Sequence, residues 1–195
     1  MTVQTRSLSL LHTDVVTDRK TRIFAAGSAL TILMALGAVA RIPLPFTPVP
    51  FTLQTFFLMF GAMALGRRSA WSQGGYMALG AVGLPIFAGF TAGMAGLLQG
   101  VTTGYLLGFV LCALVVGSYF RKAEKTSVTK DGAVLALGMF CYFIPGMLWL
   151  KMITGMSLTT AFSAAVVPFV LMDVVKVTTA YGLYRMLRNR INRLF

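Results

Sequence analysis

The chain's two most isolated ionisable side chains share one run, Pro168-Phe-Val-Leu-Met-Asp173-Val-Val-Lys176, and no other Asp, Glu, Lys or Arg occurs from 152 to 184. Three residues apart on a helix, Asp173 and Lys176 lie on one face. Pro168 suits the first turn of that helix, where its missing N–H is not needed. If the run enters a bilayer from its outer side, Asp173 sits about 8 Å and Lys176 about 12 Å below the outer end. An embedded charge near mid-membrane costs roughly 2.5–3.5 kcal/mol, so two of them need a reason. One reason is an ion pair that neutralises itself, which gains nothing over two leucines. The stronger one is a binding site, in which Lys176 gives charge-assisted hydrogen bonds to an anionic ligand group and Asp173 accepts from ligand N–H groups.

Other chemistries fail on their residues. A hydrolase inside the membrane needs a Ser/His or paired-Asp constellation, yet the apolar runs offer one Asp and no His. No catalytic residue is expected, and the chain is read as a non-enzyme. The single His12 lies in the polar amino-terminal segment, with no cluster of His, Cys, Asp or Glu to hold a metal. Cys112 and Cys141 sit inside apolar runs and read as small buried hydrophobes rather than a disulfide or ligand pair. Gly61-Ala-Met-Ala-Leu-Gly66-Arg67-Arg68 superficially matches a phosphate-binding loop, but it ends in Arg-Arg and follows no strand.

The elements that position Asp173 and Lys176 follow from composition. Of 195 residues, 57% are hydrophobic, 20 more are glycine and only 11% are charged, against about 25% charged in soluble domains. Such a chain cannot cover a soluble surface, so the class is integral membrane protein. Charged residues are absent from 23–40, 42–66, 69–120, 132–150 and 152–172. A span needs about 20 apolar residues, so the long gap holds two spans and the others one each. The expectation is an all-α, polytopic protein with six transmembrane helices, near 23–40, 52–66, 70–87, 104–120, 132–150 and 168–185. Residues 1–22 read as a cytoplasmic tail without a signal peptide, 23–187 as one transmembrane domain and 188–195 as a basic cytoplasmic tail.

With both termini cytoplasmic, fourteen of the 17 Lys and Arg residues fall inside, only Arg41 and Lys151 fall outside, and Lys176 lies within a span. This is a strong positive-inside bias, which together with anionic lipid accounts for the net charge of +12. Nucleic acid is therefore not an expected partner. Trp71 and Trp149, at span ends, read as interfacial anchors.

All seven prolines then fall in the outer half of the membrane or at its outer surface. Irregular backbone at membrane depth is tolerated where it is buried in protein or lines a cavity, so a pocket facing outward is implied. Residues 41–50, with four prolines, are expected to pack across its mouth. Within the glycine-rich stretch 87–104, residues 89–100 divide evenly between lid and close helix packing, while Gly104 and Gly108 favour packing.

Four blocks carry a resemblance: Ile42-Pro-Leu-Pro-Phe-Thr-Pro-Val-Pro-Phe-Thr-Leu-Gln54-Thr, Gly80-Ala-Val-Gly-Leu-Pro-Ile-Phe-Ala-Gly89, Thr103-Gly-Tyr105-Leu-Leu-Gly108-Phe, and Pro168-Phe with Asp173-x-x-Lys176. The chain resembles the BioY family of biotin transporters, the substrate-binding S components of energy-coupling-factor systems. The resemblance implies capture of biotin from outside the cell membrane by a multi-pass protein with no ATPase and no intrinsic cofactor of its own. It implies Asp173 as partner of the ureido N–H groups, Lys176 as partner of the carboxylate, and Gln54, Thr47 and Tyr105 as pocket or lid residues. It also implies a transmembrane coupling subunit and two cytoplasmic ATPases as partners, with Ala25 and Ala29 of the first helix facing the coupling subunit. The chain departs from the family pattern at Val101-Thr-Thr-Gly-Tyr105, Val170-Leu-Met172 and Phe90-Thr-Ala92, each adding bulk at the rim of the site. The alternatives are an S component for another small vitamin, and a non-transporting membrane subunit whose Asp173/Lys176 pair is structural.

Overall fold

The computed structural model describes residues 18–122 and 127–195; the expectations for residues 1–17, with Arg6 and His12, and for Lys125 lie outside the described residues. Helices dominate because the apolar runs are hydrophobic around their whole circumference, and lipid leaves backbone polar groups no partner except one another. In chain order they are α1 (Arg19–Val39), α2 (Gln54–Leu65), α3 (Ser69–Ala81), α4 (Gly93–Gln99), α5 (Thr103–Lys122), α6 (Val128–Thr154), α7 (Leu158–Ala165) and α8 (Val167–Leu194). A 3-10 turn, Gly66–Arg68, joins α2 to α3. Residues 188–194, read from the sequence as a tail, continue α8 as helix.

Three helices, α1, α5 and α6, and the stretch Leu158–Leu194 containing α7 and α8, are long and apolar enough to cross a membrane. The other two expected spans are shorter than the sequence suggests. Helices α2 and α3 have 12 and 13 residues, about 18 to 20 Å of rise, less than the roughly 30 Å of a hydrocarbon core. What precedes α2 is a β-hairpin, β1 (Arg41–Leu44) with β2 (Thr47–Thr52). The strands run antiparallel, pairing Arg41 with Thr52 and Leu44 with Thr47, and the register shifts around Pro43. The chain is therefore mostly helical rather than wholly so. Proline tolerates a two-stranded ribbon because both strands are edges, with no inner ladder to donate to.

The interior is built around α5 and α6, which pack closely along their length. A Cβ at Gly104 would collide with the carbonyl oxygen of Pro145, and one at Gly108 would stand 2.6 Å from that of Cys141. Pro145 lies inside α6 and cannot donate back to Cys141. These two glycines pack helices, as expected. Leu58, Met59, Cys112, Val116, Tyr142 and Leu150 are buried between α2, α5 and α6, while Ile32, Leu36, Phe140, Leu148, Leu171 and Val175 face outward. An apolar exterior of this extent is what lipid, not water, surrounds.

The glycine-rich stretch folds as a turn and the short helix α4. Phe87 bridges to Thr91, and its ring occupies the space above Gly80, edge-on to Tyr76 at 5.6 Å. Phe90, at one of the positions where the chain adds bulk, has φ 58°, the left-handed conformation otherwise taken here by glycines among the described residues.

Candidate functional site

Helix α8 starts with Pro168 in its first turn and carries Asp173 and Lys176 inward, both buried. The Lys176 Nζ donates to Asp173 Oδ1 at 2.6 Å, to the Thr52 carbonyl oxygen at 2.8 Å and to Thr55 Oγ1 at 3.0 Å. The Thr55 hydroxyl in turn donates to Asp173 Oδ1 at 2.9 Å. The Tyr142 hydroxyl donates to Asp173 Oδ2 at 2.9 Å. The ammonium also sits 4.0 Å from the centroid of the Phe51 ring, close enough for attraction by the ring face. Every proton of Lys176 and both oxygens of Asp173 are thus engaged, as a pair held out of bulk water must be.

Above this pair lies a small cavity of about 40 Å³, lined by both charges, Gln54, Thr55, Tyr105 and the β2 residues Val49, Pro50 and Thr52. It shares Pro50, Thr102 and Leu106 with a wider outer cavity of about 460 Å³ between the hairpin and α4. Arg41 is the charged residue lining that outer space among the described residues. The inner space holds a few waters at most. A ligand larger than that enters only if the hairpin or the inner side chains give way.

The residues singled out in the sequence fall as follows. Gln54 opens α2 and lines the inner cavity, with its buried side-chain amide beside the Tyr76 hydroxyl. Tyr105 also lines the cavity, and its hydroxyl donates to the Ala165 carbonyl at the end of α7. Thr47 lies on the hairpin instead, donating to the Ala164 carbonyl at 2.7 Å and accepting from Val49 N–H at 3.2 Å, so it ties β2 to α7. Ala25 and Ala29 are exposed on α1, away from the cavity. Cys112 and Cys141 are free thiols, the first buried.

Three participants escaped the sequence reading. Thr55 adjoins Gln54 in the Pro-rich block, and Thr52 contributes a carbonyl, but Tyr142 is one tyrosine in an apolar run with no spacing signal. Asp131 carries no signal in the sequence, standing just before the apolar run 132–150. It lies in the first turn of α6, fully buried, accepting from the Tyr119 hydroxyl at 2.8 Å and the Tyr181 hydroxyl at 2.6 Å. Asp173 and Lys176 are therefore not the protein's only buried charges.

The family model described as the BioY family matches residues 8–193. A protein named biotin transporter BioY from Thermotoga maritima is 39% identical over 77% of this chain and 86% of its own. A probable biotin transporter BioY from Pyrococcus horikoshii is 34% identical over 78% of this chain and 90% of its own. The crystal structure of a biotin S component from an ECF-type ABC transporter superimposes with a TM-score of 0.80 at 24% identity, covering 90% of this chain and 95% of that one. At that identity the match establishes the shared fold. With the family model spanning nearly the whole chain and a relative at 39% identity over most of both lengths, the protein belongs to the BioY family.

Proposed function

We propose that this protein takes up biotin, capturing it from outside the cell in the cavity under the β1–β2 hairpin. The observation that carries the reading is the Asp173–Lys176 pair at the base of that cavity, in a chain 39% identical to a biotin transporter. The chain is placed in the plasma membrane as six membrane-crossing segments, two of them short, with both termini cytoplasmic. The basic residues of the α2–α3 turn and of the end of α8 support that orientation. Energy comes from a transmembrane coupling subunit and two cytoplasmic ATPases, and the exposed Ala25 and Ala29 face of α1 meets the coupling subunit.

The geometry favours one change to the roles implied by resemblance. Lys176 Nζ and Asp173 Oδ1 are 2.6 Å apart, whereas the ureido ring and the carboxylate of biotin are separated by the whole valeryl chain. A pair this close serves one end of the molecule. Asp173 accepts from a ureido N–H, Lys176 donates to the ureido carbonyl, and the carboxylate points out toward Arg41. Gln54 supplies its buried amide to the same ring, Tyr105 walls the cavity, and Thr47 latches the hairpin.

Calorimetric titration of biotin and of its methyl ester into the detergent-purified protein tests both points. Wild type binds biotin tightly, and Asp173→Asn loses most of that affinity. Arg41→Gln weakens biotin while leaving the ester nearly unchanged, whereas Lys176→Met weakens both. A Lys176→Met variant that weakens biotin alone returns the carboxylate to Lys176. The self-contained hydrogen bonding of the pair also suits a purely structural role. Folded, ligand-free wild type that binds no biotin, with Asp173→Leu/Lys176→Leu equally stable, establishes that second reading instead.

A further inference from the structure

A long apolar groove of about 880 Å³ runs between α1 and α3, remote from the biotin cavity. It extends along α1 from Lys20 to Ile32, about 18 Å of helix rise, close to the length of an acyl chain. Its walls include Phe24, Ile32, Trp71 and Leu79, all exposed large hydrophobics. Its basic end is different in kind. Lys20 and Arg68 close it, and no acidic residue lines it among the described residues. Arg19 and Arg121 line a separate cavity on the other side of the Gly66–Arg68 turn. Partial desolvation, and after it the nearby Arg121 and Arg19 guanidiniums, lower the Arg68 pKa. One helical turn below Arg68, the Ser72 hydroxyl lines the groove, buried and without a hydrogen-bond partner among the described residues.

We propose that this groove is a specific site for an anionic phospholipid: the phosphate rests between Lys20 and Arg68, Ser72 donates to an ester carbonyl, and one acyl chain fills the groove. The order of groups matches a lipid standing in the leaflet. The phosphate comes at the level of the basic turn, the esters a few ångströms deeper, and hydrocarbon from there inward. Trp71, 83% exposed three residues after Arg68, sits where interfacial tryptophans do. The inference is independent of what the outer cavity binds.

Native mass spectrometry of the full chain, released from micelles carrying equal palmitoyl-oleoyl phosphatidylglycerol and phosphatidylcholine, reads the site directly. One phosphatidylglycerol is retained in clear preference to phosphatidylcholine. The exposed pair substitution Lys20→Gln/Arg68→Gln lowers that preference about thirtyfold, the share of two basic groups at an anionic surface. Gly75→Leu, whose Cβ meets Thr31 Oγ1 at an ordinary 3.5 Å, fills the groove and reduces retention without touching the charges. Equal retention of the two lipids by wild type overturns the proposal, as does retention that neither variant alters. Displacement of the bound lipid by millimolar inorganic phosphate reassigns the basic end to free phosphate and overturns the acyl-chain part. If both variants keep the lipid but lose a co-purified coupling subunit, the face belongs to a protein partner and the lipid assignment fails.

Discussion

The Asp173 carboxylate collects donors from three different parts of the chain: Thr55 on α2, Tyr142 on α6 and Lys176 on its own helix. A hydrogen bond to a charged group contributes about 1.5–3 kcal/mol. Tyr142→Phe is therefore expected to lower stability by about that amount, read as a lower midpoint of thermal unfolding in detergent, and to weaken biotin by loosening the carboxylate. An unchanged midpoint would mean that the phenol is idle. Asp131 makes the same argument without a ligand. Two half-buried tyrosine hydroxyls donate to this fully buried carboxylate, so Asp131→Leu removes both bonds and costs more than Tyr119→Phe, which leaves Tyr181 bonded. Lys176 and Asp173 were legible in the sequence because charge is rare in apolar runs. Tyr142 was not, since tyrosine is ordinary there and only the meeting of α6 with α8 gives its hydroxyl an acceptor.

At the scale of elements, the hairpin is tied at its Thr52 end by Lys176 of α8 and at its turn by a side-chain bond from Thr47 to the Ala164 carbonyl of α7. Such a bond is worth about 0.5–1.5 kcal/mol net. Thr47→Val keeps the shape and removes the bond, so bound biotin should leave about two- to twelvefold faster in a chase with unlabelled ligand. An off-rate equal to wild type would remove Thr47 from any lid role. Helix packing gives a harsher test. Gly108 faces the α6 backbone at Tyr142 and Cys141, which cannot withdraw as a side chain can, so Gly108→Leu separates α5 from α6 and yields aggregated protein on size exclusion. A monodisperse, biotin-binding Gly108→Leu protein would contradict this. The prolines at 43, 45, 48 and 50 announced an irregular outer segment but not its form. Helix was ruled out by the missing N–H groups, while the β pairing depends on which backbone lies opposite.

For the whole molecule, the expected topology assigns a side to every loop. With Cys112 and Cys141 replaced by alanine, Lys151→Cys should react with an impermeant maleimide on intact cells, and Arg67→Cys only after permeabilisation. The reverse pattern would invert the orientation and place the cavity on the cytoplasmic side.

By itself the sequence determined the class, the positions of the apolar runs, the asymmetry of charge and the two ionisable residues isolated in the last of those runs. The bilayer imposes a nearly one-dimensional constraint, so apolar length and Lys/Arg placement can be read along the chain without knowing which helices touch. Only the tertiary structure decided how the pair is satisfied, that Asp131 is buried, that α2 and α3 are short, and that the proline-rich block is a hairpin latched to α7. Those outcomes depend on groups brought together across long separations, 118 residues from Thr55 to Asp173 and 117 from Thr47 to Ala164. No local pattern encodes such a meeting; the packing of α5 on α6 and of α2 on α8 creates it.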